Sequence, residues 1–70
     1  MNLSQNTTVA TPLLLRIEQV CHLTGLGRTM IYELISRGQL PAPIKLGRAS
    51  RWPAREIEEW IRLVVLRRGL

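Results

Sequence analysis

The sequence has a single cysteine and a single histidine among its 70 residues. One cysteine cannot form an internal disulfide, and these two side chains cannot supply the four ligands of a structural zinc ion. No apolar stretch approaches the roughly 20 residues of a membrane-spanning helix, and the N-terminus lacks the basic and then apolar pattern of a signal peptide. We therefore expect a soluble cytoplasmic protein that uses no metal or cofactor.

The chain is also too short to enclose much of its own surface. Its length fits one small domain, and a domain of this size buries only about 60% of the surface that the unfolded chain exposes. That is too little for a deep catalytic cleft in addition to a core. The size argues against an enzyme and for one functional unit.

Acidic residues are scarce, with five Asp and Glu against ten Lys and Arg, which gives a net charge of +5. All the cations but one are arginine, whose planar fork suits phosphates and base edges. The excess is confined to residues 28–55, where six cations and Glu33 give 6 − 1 = +5, while the charges of the remainder cancel. This segment indicates a polyanionic partner, unless it is simply a solvated basic face.

The composition changes near residue 12. Residues 1–11 carry no charge and no apolar periodicity, so we expect a flexible tail there and a folded domain over 12–70. The leucine triplet within Pro12–Arg16 predicts either a short strand or a cap on the core, because five residues cannot decide between the two.

Three helices follow from apolar periodicity. The first is predicted from Ile17 to Thr24 and the second over Arg28–Arg37, with a turn at Gly25-Leu26-Gly27 between them and Gly38 in a left-handed position after the second. The third is predicted from Pro53 to about Arg67. Its apolar face is expected to contain Ile57, Trp60, Ile61, Val64 and Val65.

A small hairpin is predicted between the second and third helices. Ile44-Lys45-Leu46 and Arg51-Trp52 alternate apolar with basic residues, and residues 47–50 have turn chemistry. Lys45, Arg48 and Arg51 would give this hairpin a basic tip. The tip could follow a phosphate backbone or insert Arg48 into a minor groove, or it could simply keep an edge strand soluble.

Cys21, Gly25, Ile31 and Leu34 are spaced along the sequence as in a helix-turn-helix. Cys21 is small enough for two helices to approach, Gly25 permits the turn, and Ile31 and Leu34 would pack the second helix on the first. Any helical hairpin with a glycine turn could share this spacing, and Thr24 departs from it because an apolar residue is commoner there. The outward face of the second helix would then offer Thr29, Tyr32, Glu33 and Ser36, with Arg28 at its N-terminal edge.

These side chains suit duplex DNA in different ways. Arg28 could bind a guanine edge in the major groove, Thr29 and Ser36 could reach a phosphate or a base, and Tyr32 could donate to a phosphate. Arg37 lies in the same basic segment. We interpret Glu33 as a solvated side chain, since a carboxylate repels phosphates.

Other chemistry-bearing residues favour structural roles. Trp52 and Trp60 could stack on single-stranded bases, but a domain this small needs their buried surface, so we expect both in the core. Cys21 and His22 point about 100° apart on a helix and have no third partner, so they predict no active site. Leu63 and Leu66 lie off the apolar stripe, which indicates either a contact surface or a frayed end.

Several motifs over residues 15–62 occur in a characteristic order: T-G-L, I-Y, G-x-L-P-x-P, R-W and E-I-E-x-W-I. In this respect the sequence resembles the AlpA family of small phage and prophage regulators, which are similar to excisionases. The resemblance implies a mainly α fold with a small β-hairpin, a winged helix-turn-helix related to the DNA-binding domain of MerR-type regulators. The sequence departs from the family pattern at Gly27 and Arg55, where the family often has polar helix caps.

The resemblance further implies regulation of prophage-type transcription, or control of excision as a recombination directionality factor. It places Arg28, Thr29 and Tyr32 on a recognition helix and Arg48 and Arg51 on a wing. We expect a monomer that binds double-stranded DNA in the nucleoid, associates cooperatively there, and recruits RNA polymerase or an integrase. The alternative is an adaptor that uses the basic face or the third helix on an acidic regulatory protein. A membrane-surface role is weak because the apolar face of the third helix is needed for the core.

Overall fold

The structure, a computed structural model, describes residues 12–70 of the chain. The predicted tail, residues 1–11, lies outside this part. The elements follow in the order β1 (Leu14–Leu15), α1 (Ile17–Thr24), α2 (Arg28–Ser36), β2 (Ile44–Leu46), β3 (Ala49–Pro53) and α3 (Ala54–Arg67). Three helices and a small antiparallel hairpin form a winged helix-turn-helix, and the predicted fold class is confirmed.

The α1–turn–α2 unit has the predicted limits to within one residue. Gly25 adopts a left-handed conformation with φ of 76°, and its N–H donates to Cys21 O at 2.8 Å, which ends α1. The hydroxyl of Thr24 donates to Val20 O at 2.8 Å and accepts from Leu26 N–H at 3.2 Å. Thr24 is therefore accommodated because its polar group bonds within the turn itself.

The leucine triplet forms a strand rather than a loose cap. Leu14 and Leu15 pair antiparallel with Pro53 and Trp52, so the sheet has three strands in the order β1-β3-β2. Since neighbouring residues on a strand point to opposite faces, Leu15 is buried with Trp52 while Leu14 stays partly exposed. β1 thereby closes one edge of the sheet over the core.

The hairpin turn is shorter than predicted. Ala49 and Ser50 are paired with Leu46 and Lys45, so the turn has two residues, Gly47 and Arg48, and the prediction of a turn over 47–50 is wrong at its C-terminal end. Glycine at the first position of a two-residue turn supplies the positive φ, here 63°, that matches the twist of the strands.

The core lies where α1, α2 and α3 meet the inner face of the sheet. Its largest fully buried side chain is Trp52, whose indole N–H donates to Pro41 O at 3.0 Å. Because that polar atom is paired, the indole can be buried without a desolvation penalty. The buried set is Leu15, Val20, Ile31, Leu34, Leu40, Trp52, Ala54 and Ile57.

The third helix begins one residue later than predicted. Pro53 is the last residue of β3 and precedes the helix, and the N–H of Ala54 donates to Leu13 O at 2.8 Å. Ile57 is buried in the core, whereas Trp60 is half-buried and packs against the core instead of within it. Val65 is 56% exposed, so this end of the predicted apolar face extends beyond the core. It lies in the last turns of α3, at the edge of the stripe centred on Ile57.

Candidate nucleic-acid interface

The outward face of α2 carries the predicted side chains of Arg28, Thr29, Tyr32 and Ser36 in exposed positions. Arg37, the residue that follows the helix, is also exposed. The face is fixed because Ile31 and Leu34 are fully buried on the opposite side of the helix. Gly27 provides no side-chain cap, yet α2 still begins at Arg28, and Ile31 N–H donates to Gly27 O at 3.1 Å. Packing sets the orientation of this helix without help from a cap.

The C-terminus of α2 is closed by backbone bonds. Gly38 has φ of 73°, its N–H donates to Ile35 O at 2.9 Å, and the N–H of Gln39 donates to Leu34 O at 2.8 Å. This pattern satisfies two carbonyls at the helix end and turns the chain toward β2. The connection is then fixed by Trp60, whose indole N–H donates to Gln39 O at 2.6 Å.

The three cations of the wing differ in where their side chains lie on the hairpin. Lys45 Nζ donates to Ser50 Oγ at 3.0 Å, and Arg51 Nη1 donates to the carbonyl of Ser50 at 2.9 Å, so both side chains lie along the hairpin. Arg48 is exposed in the two-residue turn. Arg48 is therefore the wing cation placed farthest along the hairpin, at its tip.

The helix and the wing meet in an open cleft of about 400 Å³. Tyr32 contributes from α2, Arg48 and Arg51 from the wing, and Arg16 from the residue before α1. Three of the predicted residues, Tyr32, Arg48 and Arg51, are thus brought to one concave surface. The other five do not line it: Arg28, Thr29, Ser36, Arg37 and Lys45. Arg16 was missed from the sequence because its charge was counted in the neutral remainder, and no local pattern places it beside the wing.

Tyr32 also touches the core through Trp52. Their ring centroids are 6.3 Å apart and their planes are inclined at 57°, while 47% of Tyr32 remains exposed. Tilted aromatic pairs at this distance are attractive. Tyr32 therefore links the exposed face of α2 to the middle strand of the sheet.

Two of the predicted interface arginines are ion-paired within the chain. Arg28 Nη2 lies 2.6 Å from Glu18 Oε2, and Arg37 is paired with Glu33 one helical turn away. The second pair has a sequence signal in its four-residue spacing. The first joins α1 to α2 across ten residues and has none, so Glu18 was missed.

The potential metal ligands of residues 12–70 do not cluster. No group of three or more His, Cys, Asp or Glu side chains is placed there to hold a metal ion. Cys21 is half-buried against the core and His22 is exposed. In the same part of the chain, no helix combines the length and apolar character needed to cross a membrane.

Comparison with known proteins assigns the helix-turn-helix and the wing to one family. The family of helix-turn-helix domains matches residues 14–62, from β1 into α3. An uncharacterized protein, ORF88 of Enterobacteria phage P4, is 42% identical over 48 residues, which are 67% of this chain and 54% of that protein. The chain thus spans about half the length of this relative. No solved structure matches the chain. Since the family match covers more than half of the chain, the protein belongs to the family of helix-turn-helix domains.

Proposed function

We propose that this protein binds double-stranded DNA in a sequence-specific manner and has no catalytic activity. The observation that carries the proposal is the shared cleft, in which Tyr32 of α2 faces Arg48 and Arg51 of the wing. A duplex is a ligand that can occupy a helix face and a hairpin together, because its groove accepts the helix while its backbone runs past the hairpin.

In this proposal α2 enters the major groove. Arg28, at the start of the helix, donates two hydrogen bonds to a guanine edge, and Thr29 contacts a neighbouring base or phosphate. Tyr32, Ser36 and Arg37 donate to the phosphates that flank the groove. The ion pairs of Arg28 and Arg37 are exposed and each engages one Nη2 atom, so the other guanidinium N–H groups remain for DNA contacts.

The wing supplies contacts that do not depend on sequence. Lys45 and Arg51 lie along the hairpin beside the phosphate backbone, and Arg48 at its tip enters the minor groove, whose potential attracts a guanidinium group. Arg16 adds a further cation on the α1 side of the cleft. These charges would supply most of the affinity for DNA, whereas α2 would determine the preferred base sequence.

We further propose that the protein is a regulator of the AlpA type, acting on prophage-type transcription or on excision. The likeness to a phage P4 protein supports a phage-type origin, and the motifs shared with the AlpA family support the regulatory role. RNA polymerase or an integrase would be recruited by copies bound side by side on DNA.

Selection of bound duplexes from a random pool, repeated at two salt concentrations, tests the proposal. If about 4 to 6 phosphates are neutralised, log affinity should fall against log salt with a slope of about −3.6 to −5.4. An enriched sequence with this slope is the expected result. Binding that is insensitive to salt, or a pool without enrichment, would instead favour an adaptor for an acidic protein.

A further inference from the structure

Glu18 is an anion in a cationic site. It lies in the first turn of α1 and lines the cleft between α2 and the wing together with Arg16, Arg48 and Arg51. Among the described residues that line this cleft, Glu18 is the only carboxylate. A negative charge here opposes the approach of phosphates, so its presence requires a reason other than affinity.

The ion pair with Arg28 does not supply that reason through stability. The two side chains are 63% and 61% exposed, and exposed pairs of this kind contribute little to folding because water screens them. An acidic residue in a first helical turn is also mildly favourable, and Glu56 likewise lies in the first turn of α3. Glu56, however, does not line the cleft.

The geometry of the pair bears on how Arg28 meets DNA. Glu18 Oε2 accepts from Nη2 of Arg28 at 2.6 Å and leaves the other guanidinium N–H groups free of this bond. The carboxylate thereby restricts the side chain and offsets its charge. A phosphate, which attracts Arg28 mainly through charge, loses more from this arrangement than a guanine edge, which needs two donors in fixed positions.

We infer that Glu18 is a specificity-determining residue that acts through Arg28, positioning its guanidinium for a base edge and lowering its attraction to phosphates. The inference rests on the proposed function. It predicts that Glu18 weakens binding to unrelated DNA more than binding to the preferred site, so that the carboxylate raises the ratio of the two affinities.

The test compares the affinities of Glu18→Gln and wild type for the selected duplex and for an unrelated duplex over a series of salt concentrations. We expect affinity for the unrelated duplex to rise about three- to tenfold, its salt slope to steepen by about 0.9, and the specificity ratio to fall. Glu56→Gln is the matched control, because it makes the same charge change in another first helical turn. Its specificity ratio should remain that of wild type.

A second background isolates the role of Arg28. In Arg28→Ala, adding Glu18→Gln should leave the specificity ratio unchanged, since the positioned group is absent. Thermal melts of Glu18→Gln should differ from wild type no more than those of Glu56→Gln, since each variant removes one acid from a first helical turn. A ratio that Glu18→Gln does not change, or that Glu56→Gln lowers equally, would overturn the inference while leaving DNA binding intact. If the wild-type chain prefers no duplex at any salt concentration, the proposed function itself fails, and the inference with it.

Discussion

The rings of Tyr32 and Trp52 pack with their centroids 6.3 Å apart, which connects the exposed face of α2 to the fully buried centre of the sheet. The contact matters because α2 and the wing arise from segments separated by the proline-containing connection, residues 39–43. The pair holds the exposed face of α2 close to the strand that forms one side of the wing. Tyr32 has two roles that belong to different atoms: its ring packs on Trp52, and its hydroxyl makes the proposed phosphate contact.

Tyr32→Phe should separate these functions. The ring and its contact with Trp52 remain, so unfolding free energy should change by less than about 0.5 kcal/mol. Loss of the hydroxyl should weaken duplex binding by about 0.5–1.5 kcal/mol, the net value of one hydrogen bond. Urea denaturation and fluorescence anisotropy measure the two quantities. Tyr32→Ala is the comparison, and a Phe variant as unstable as the Ala variant would refute the division of roles.

Core truncation in α2 should be costly in proportion to the atoms removed. Ile31→Val should lower the unfolding free energy by about 0.5–1.5 kcal/mol and Leu34→Ala by about 2–5 kcal/mol, because both side chains are fully buried. Leu66→Ala, at a residue that is 76% exposed, should change it by less than about 0.5 kcal/mol. Denaturant titrations give all three values, and a large loss at Leu66 would contradict the assigned packing.

The two glycines of the turn should respond in opposite directions. Gly25 has φ of 76°, so Gly25→Ala should destabilise the protein by about 1–2 kcal/mol although no atom would meet the new Cβ. Gly27 has φ of −82° in open space before α2, so Gly27→Ser should stabilise it by a few tenths of a kcal/mol as a helix cap. Thermal melts distinguish these outcomes, and a destabilising serine would show that the start of α2 is constrained by something else.

Local patterns were sufficient to predict the helices, the turn and the exposed face of α2. The position of Gly25 predicts the turn, and the spacing of Ile31 and Leu34 predicts the buried side of α2. Because the domain has a single small core, the opposite side of the helix must face outward. The bounds of α1 and β2 are those predicted, whereas the limits of β3 and the start of α3 moved by one or two positions, at Ala49 and Pro53. They moved because pairing with a neighbouring strand decides them.

What the sequence did not predict depends on contacts between distant residues. The strand at Leu14–Leu15 exists because it pairs with Pro53 and Trp52, almost forty positions away, and nothing within the leucine triplet specifies that partner. The contact between Glu18 and Arg28 depends on how α1 packs against α2. The place of Arg16 in the cleft depends on how the start of α1 lies against β3. A charge count along the sequence takes no account of such packing, so it left Arg16 and Glu18 in the neutral remainder.

Two arginine variants should weaken DNA binding in distinguishable ways, and a third should leave it unchanged. Arg28→Ala should cost about 1–3 kcal/mol on the preferred duplex and relax the preference at one base position. Arg48→Ala should weaken all duplexes alike and reduce the salt slope by about 0.9. Arg62→Ala, which removes an equal charge from the exposed surface of α3, should do neither. Equal losses in all three variants would indicate a general charge effect instead of a defined interface.

The most direct measurement follows the backbone amide signals of the isotope-labelled protein while the selected duplex is added. The proposed docking predicts the largest changes at Arg28–Ser36 and at the wing turn around Arg48, with small changes along α3. Signals that move only toward the end of α3, while the Arg28 and Arg48 amides keep their positions, would contradict it.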